Sequence, residues 1–255
     1  MGLGYRIIDE NLRVAMGCFA RSTPQGEQLE LPGVRLVFTG MREGIFNSVM
    51  LTERVPFLSD LRRRLERARD YFLRRGCAWS MWICEDLLEP ELLRFLPALM
   101  AEYDLVFSSR PPGMWIPSLS APGRALPSLD FRPIGDATTR IDFCHLMAIA
   151  FEGPFAATLD AYNDAGFWGG DFKGFIGYAP DGRAITSACT VKSEASTGLY
   201  AVATVVSERR KGYGEAVMRH ALAAVEPSSS AKTNIAKRRN RQRDRTPLIV
   251  GPFSR

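Results

Sequence analysis

The stretch Leu199–Val225, LYAVATVVSERRKGYGEAVMRHALAAV, constrains the fold more than any other part of the chain. Leu199 to Val206 is almost continuously apolar or β-branched, the composition of a strand covered on both faces and placed centrally in its sheet. A basic turn follows, Arg209-Arg210-Lys211-Gly212-Tyr213-Gly214-Glu215. Beyond it Val217, Ala221 and Ala224 fall at i, i+4 and i+7, one helix face with small side chains that can approach a sheet closely.

Strand, glycine turn and helix in that order make an anion site. The first amides of a helix have no intrahelical acceptor and sit at the positive end of its dipole. Gly212 and Gly214 let the backbone approach a phosphate, and Arg209, Arg210 and Lys211 add positive charge. A P-loop is excluded because no Lys-[Ser/Thr] occupies the required place. A dinucleotide fingerprint is excluded because Val217 stands where the third glycine belongs and a basic tail follows.

Arg209-x-x-Gly212-x-Gly214, preceded by Val202-Ala203-Thr204, resembles the acyl-CoA motif of the GNAT superfamily of N-acyltransferases. The resemblance implies a mixed α/β sheet flanked by helices, with acetyl-CoA as co-substrate and the acetyl group passing to a primary amine. It implies that backbone amides near Ala203, Thr204 and Val205 hold the thioester carbonyl. Residues Arg209 to Glu215, with Lys211 and Tyr213 among them, would hold the diphosphate. Glu152, after the first helix of the domain, is the candidate general base, with Asp171 a lesser one. His145 and His220 read as packing residues.

The rest of the chain divides around this motif. Residues 118–128, SLSAPGRALPS, have the small, Pro-containing composition of a linker. Before it, Asn11–Ala20 reads as a helix, and Val34–Thr39, Phe46–Thr52, Ala78–Cys84, Leu105–Ser108 and Met114–Ile116 as strands. A helix capped by Ser59 or Asp60 runs to Arg75, with Leu61, Leu65, Ala68 and Phe72 inward and Gly76 as its stop. Its arginines, Arg62 to Arg75, read as a solvated face rather than a nucleic-acid surface. Pro90 opens a helix that Pro97 should bend or break.

After the linker come strand Leu129–Ile134 and a helix capped by Asp136. A shorter helix from Thr158 and an antiparallel meander over 174–206 follow. Phe46-Asn47, the Trp79–Trp82 strand and Gly113-Met114 resemble the cofactor-free partner domain that precedes the catalytic domain in some bacterial GNAT proteins. The expected domains are therefore a GNAT-like partner (1–117), a linker (118–128), an acyl-CoA-binding domain (129–226) and a basic disordered tail (227–255).

Composition narrows the setting. Residues 228–255 hold eight Lys or Arg and one Asp, net +7, against 25 basic and 27 acidic groups elsewhere, net −2. The pI of about 9.1 therefore belongs to the tail. The switch near Pro227 replaces the further strand, tyrosine-bearing helix and closing strands of a GNAT domain, as a truncated or frameshifted reading frame would. Within it only Leu248–Val250 is apolar enough for a strand. Three functional classes follow: an acetyl-CoA-dependent N-acetyltransferase, a catalytically defective acyl-CoA-binding relative, and a nucleic-acid binder acting through its tail. The open sheet edge favours a homodimer. Five dispersed cysteines, no CxxC pair and no apolar run of membrane length point to a reducing, cytoplasmic protein without metal.

Overall fold

The computed structural model describes residues 4–225 and 247–252. They form two compact units: one of residues up to Met114 together with the 247–252 segment, the other from Trp115 onward.

The first unit opens with α1 (Gly4–Arg21), longer than its apolar spacing suggests. A hairpin of β1 (Glu27–Leu31) and β2 (Val34–Phe38) turns at Gly33, whose φ of 79° suits glycine. β1 escapes sequence reading because its EQLEL residues are mostly exposed at the sheet edge. Next come β3 (Ser48–Leu51), α2 (Leu58–Arg74), β4 (Ser80–Cys84), a 3-10 segment at Pro90–Phe95, α3 (Leu96–Ala101) and β5 (Leu105–Ser109). Val34, Leu36, Val49 and Leu51 join Leu61, Leu65, Ala68 and Phe72 of α2 in one core. The Phe72 and Trp79 rings stack at 5.6 Å.

Several expectations change here. The α2 N-cap is Phe57, without a side-chain bond, while Asp60 pairs with Arg63 inside the first turn. The segment opened by Pro90 is a 3-10 helix that stops at Phe95, and Pro97 lies in the first turn of α3, where proline fits. Met114–Ile116 is not a strand, and Met114 is 82% exposed.

The arginines of α2 are not one solvated face. Arg62 pairs with Glu102 and Arg75 with Glu27, whereas the guanidinium of Arg64 is buried. It donates to the carbonyls of Gly33 (3.1 Å), Glu53 (2.8 Å) and Arg54 (2.9 Å). A second buried polar anchor is Asn47. Its Oδ1 accepts from the Thr39 and Gly40 amides, and its Nδ2 donates to the Met41 and Ala78 carbonyls.

The second unit begins with the irregular 115–129 segment, which contains the expected linker. β6 (Asp130–Pro133) leads to α4 (Ala137–Ala150), capped by the Asp136 carboxylate accepting from the Thr139 amide at 2.8 Å. α5 (Phe155–Tyr162), β7 (Phe172–Tyr178), β8 (Ala184–Lys192), β9 (Thr197–Thr204) and α6 (Tyr213–Ala223) follow. The sheet runs β6-β7-β8-β9, every pair antiparallel. α6 packs Val217 and Ala221 onto Ala188 of β8, while Ala224 is the exposed C-cap and leaves the expected stripe one residue short.

The expectation of a central, doubly covered Leu199–Val206 strand is overturned. β9 is the sheet edge among the described residues and mostly half-exposed, and β8 is the strand buried along nearly its whole length. Apolar composition alone does not distinguish an interior strand from an edge that presents its free side to something other than protein.

The last strand, β10 (Pro247–Pro252), belongs to the first unit. It lies antiparallel between β4 and β5, pairing Leu248 with Ile83 and Gly251 with Val106. The first sheet therefore runs β1-β2-β3-β4-β10-β5. For these six residues the structure differs from the expectation of a disordered tail; the rest of 227–255, and with it the basic run, lies outside the described residues.

Candidate functional site

The turn between β9 and α6 carries the motif. Arg210 (φ 65°) and Gly212 (φ 94°) are both left-handed, with Lys211 between them at negative φ. Alternation of hand along successive residues turns neighbouring amides into one concavity, a shape that holds anions. Gly212 is also the N-cap of α6, so the unused amides of the first helical turn open onto the same side. A Cβ on Gly212 would lie 3.1 Å from Pro127 Cδ and 3.2 Å from Arg124 Nη2, and its φ excludes other residues without strain. Gly214 differs: a Cβ there would meet only Thr204 Oγ1, at an ordinary 3.4 Å. Fold geometry requires the first glycine and not the second.

A cavity of about 240 Å³ opens at this turn, lined by Arg124, Thr204, Glu208, Arg209, Arg210 and the residues Gly212 to Glu215. The acidic residues are neutralised locally. Glu208 accepts from Lys211 Nζ at 2.9 Å, and Glu215 accepts from Arg219 Nε at 2.9 Å. Arg209 Nε donates to the Thr204 carbonyl at 3.0 Å. Arg124, from the linker, was not anticipated from the motif. Its only sequence signal is a lone cation in a neutral Pro/Ser segment.

A larger cavity, about 380 Å³, lies in the first unit beside Phe38, Gly40, Arg75 and Cys77. Arg75 there already donates to Glu27 at 2.6 Å and stacks on Tyr71, 3.7 Å from its centroid. The flanking end of α2 presents carbonyls instead of amides, so this cavity is a poor anion site.

β9 approaches the turn through a bulge. Tyr200 faces Cys189 and Ala203 faces Ser187, so Ala201 and Val202 together oppose Ala188. Ala201 is left-handed (φ 49°), and Ser187 Oγ donates to its carbonyl at 3.1 Å. Past the bulge, the Val205 amide donates to Ile185 O at 3.0 Å. Antiparallel alternation then turns the Ala203 amide toward β8 as well and the Thr204 amide to the open edge. The expected amide cluster over Ala203, Thr204 and Val205 thus reduces to Thr204, since the other two are occupied by the sheet.

The acid–base candidates are not gathered at this turn. Glu152 is exposed, at the end of α4, and left-handed (φ 53°), with the Gly153 amide closing back on Ala148 O at 3.1 Å. Glu152 is thus the left-handed residue that follows Phe151, the C-cap of α4, which accounts for it structurally. Asp171 is exposed at the start of β7. His145 stacks on Phe155 at 4.1 Å, and His220 is sandwiched on Phe131 at 4.4 Å with Phe175 at its edge. Burial lowers the pKa of His220, as expected for a neutral packing residue. Tyr178 donates to Asp142 Oδ2 at 2.7 Å beneath the Arg132 guanidinium, and burial raises its pKa.

The first unit has the same strand–turn–helix sequence at β3–α2, but its turn, Thr52 to Phe57, contains no glycine. Arg64 fills the space against the Glu53 and Arg54 carbonyls. A cation seated on carbonyls leaves no amide cradle there.

No protein-family model matches the chain, and no curated protein matches its sequence. Solved structures do match. A GCN5-related N-acetyltransferase from Kribbella flavida superposes with a TM-score of 0.63 at 18% identity, over 100% of this chain and 97% of that one. A conserved protein of unknown function from Staphylococcus epidermidis superposes with a TM-score of 0.55 at 11% identity, over 89% and 94%. The fold is that of the GNAT proteins, with mixed sheets flanked by helices. Among the described residues no helix is long and apolar enough to cross a membrane.

Proposed function

We infer that the second unit binds acetyl-CoA at the β9–α6 turn and transfers its acetyl group to a primary amine. The observation that carries this reading is the left-handed pair Arg210 and Gly212 at the head of α6, opening amides and uncompensated guanidinium groups onto one cavity. The diphosphate would lie against the Gly212–Glu215 amides. The thioester carbonyl would accept from the outward Thr204 amide, which would stabilise the oxyanion that develops there.

In the reaction the amine nitrogen forms a bond to the thioester carbon, the tetrahedral intermediate collapses, and the C–S bond breaks. The thiolate leaves and takes up a proton, while the amine proton passes to water, because the carboxylates at the turn, Glu208 and Glu215, are held by Lys211 and Arg219. The acceptor is a primary amine, and a homodimer and a cytoplasmic setting fit the reading.

A second reading rests on β9 being an edge: a relative that binds acyl-CoA without turning it over, since no described strand completes the far wall of the cleft. Calorimetric titration with acetyl-CoA tests binding, and release of CoA thiol in the presence of a panel of amines tests transfer. Uptake with thiol release supports the first reading, and uptake without it supports the second. Absence of uptake removes both.

A further inference from the structure

Residues Pro247–Pro252 occupy an interior place in the first sheet, between β4 and β5. An interior strand is bonded on both sides and ordinarily holds no proline, which donates no ladder hydrogen bond, and little glycine, which packs nothing against its neighbours. β10 holds both: Pro247 opposite Cys84, Gly251 opposite Val106 and Pro252 opposite Leu105. Its register against β5 also slips between Ile249 and Val250. A weak strand stands where the sheet asks for a strong one.

The flanking strands depend on this occupant unequally. β4 keeps β3 as a second, parallel neighbour, whereas β5 has no strand partner other than β10 among the described residues. Once β10 leaves, each flanking strand presents bare amides and carbonyls, the template on which an extended peptide is added. Neither β4, SMWIC, nor β5, LVFSS, carries a charged side chain. Met81 and Ile83 of β4 and Leu105 of β5 belong to the core of the first unit. The peptide such a space selects is extended, apolar and uncharged, the composition of Leu248-Ile249-Val250.

We propose that the space between β4 and β5 is a peptide-binding site, that β10 is its displaceable own-chain occupant, and that an uncharged, β-branched segment of another polypeptide takes the same place. Backbone pairing supplies the affinity, and the uncharged walls supply the selection. A covalently linked competitor acts at an effective concentration on the order of millimolar. An outside strand wins by making the bonds and packing contacts that Pro247, Gly251 and Pro252 forgo. The site concerns the first unit alone and does not rest on the acyl-CoA reading.

Three capped, fluorescently labelled peptides added to the full chain test this: PLIVGP, the own-chain sequence; PLIVVP, with valine at the glycine position; and PLKVKP, a charged control. By anisotropy PLIVVP should bind about fivefold more tightly than PLIVGP, the scale of strand preference between the two residues, and PLKVKP should not bind. Val250→Pro disables the own-chain strand and should tighten both apolar peptides about tenfold or more, since the linked competitor is gone. The wild type supplies a second readout that needs no variant to fold. Saturating PLIVVP should speed hydrogen exchange at the amides of residues 248–251 and leave those of Leu36 and Val49, in the β2–β3 pair, unchanged. Unaltered protection at 248–251, equal binding of the charged control, or a folded Val250→Pro variant with no gain in affinity overturns the proposal.

Discussion

Arg209 Nε sits 3.0 Å from the carbonyl oxygen of Thr204, so the first residue of the motif clips the end of β9 to the turn it introduces. The same alternation that frees this carbonyl points the Thr204 amide to the open edge. On the proposed function, Arg209→Ala should therefore loosen both the turn proposed to hold the diphosphate and the Thr204 amide proposed to meet the oxyanion. Acetyl-CoA affinity should fall about tenfold by calorimetry, the value of one hydrogen bond from a charged group. Arg209→Lys restores charge without the Nε donor and should recover only part of it. Full recovery by lysine would show that charge alone matters there.

The two glycines of the motif should separate in their effects. Gly212→Ala places a Cβ on a left-handed residue against Pro127 and Arg124, and should cost about 1–2 kcal/mol of stability. Gly214→Ala places one against Thr204 Oγ1 at ordinary contact, inside a helix, and should be neutral or stabilising by up to about 1 kcal/mol. If acetyl-CoA binds at this turn as proposed, Gly214→Ala should nevertheless weaken its binding, because the methyl would stand where the diphosphate is proposed to lie. A stable Gly214→Ala variant with undiminished affinity would remove the ligand from this turn.

Arg64 anchors three backbone carbonyls from within the protein, and burial lowers its pKa. Arg64→Ala strands those carbonyls and should destabilise the first unit by about 2–4 kcal/mol, measured by urea unfolding. Arg64→Lys should rescue little, since one ammonium cannot span the three acceptors that a planar fork reaches. Substantial rescue would mean that charge, not geometry, holds the turn.

Asp9 is buried beside Arg13, and desolvation raises its pKa to about 6 despite that neighbour. A carboxyl whose folded value exceeds its ordinary value near 3.8 favours the fold when protonated. Its contribution is fully present below about pH 4 and is lost as pH rises through 6. Asp9→Asn should therefore gain on the wild type between pH 4 and 8, by about 2 kcal/mol. Comparison of the two proteins across that range cancels the other carboxylates, and parallel stability curves would refute the assignment.

Of the five cysteines, Cys18, Cys84, Cys144 and Cys189 are buried, and burial pushes Cys84 up to about 12 and Cys144 to about 11. Cys77 is half-buried at the end of α2. Titration with a thiol reagent at pH 8 should modify one cysteine slowly in the native protein and five after unfolding. Cys77→Ser should abolish the native reaction.

Local signals carried much of this structure in the sequence. Asp136 caps α4, Leu61 to Phe72 face the core, and the 174–206 meander pairs as its turns suggest, because each depends on neighbouring residues. The edge position of β9 depends on what lies beside it, which composition does not encode. Arg64 looked like surface charge because its partners, Gly33 and Glu53, are distant or separated by a turn. At the candidate site, the motif residues do lie on a turn between a strand, β9, and a helix, α6. It could not show that the sheet occupies the Val205 amide, that Glu152 is the left-handed residue closing the end of α4, or that a linker arginine reaches the same cavity.

β10 has a consequence for how the molecule is made. The gap between β4 and β5 is filled by Pro247–Pro252, so Cys84 finds its partner in Pro247 only after the whole second unit has been synthesised. Such a non-local pairing is slow to form. Until it does, the first unit has a slot in its sheet, and a segment that follows the second unit along the chain is the piece that seals it.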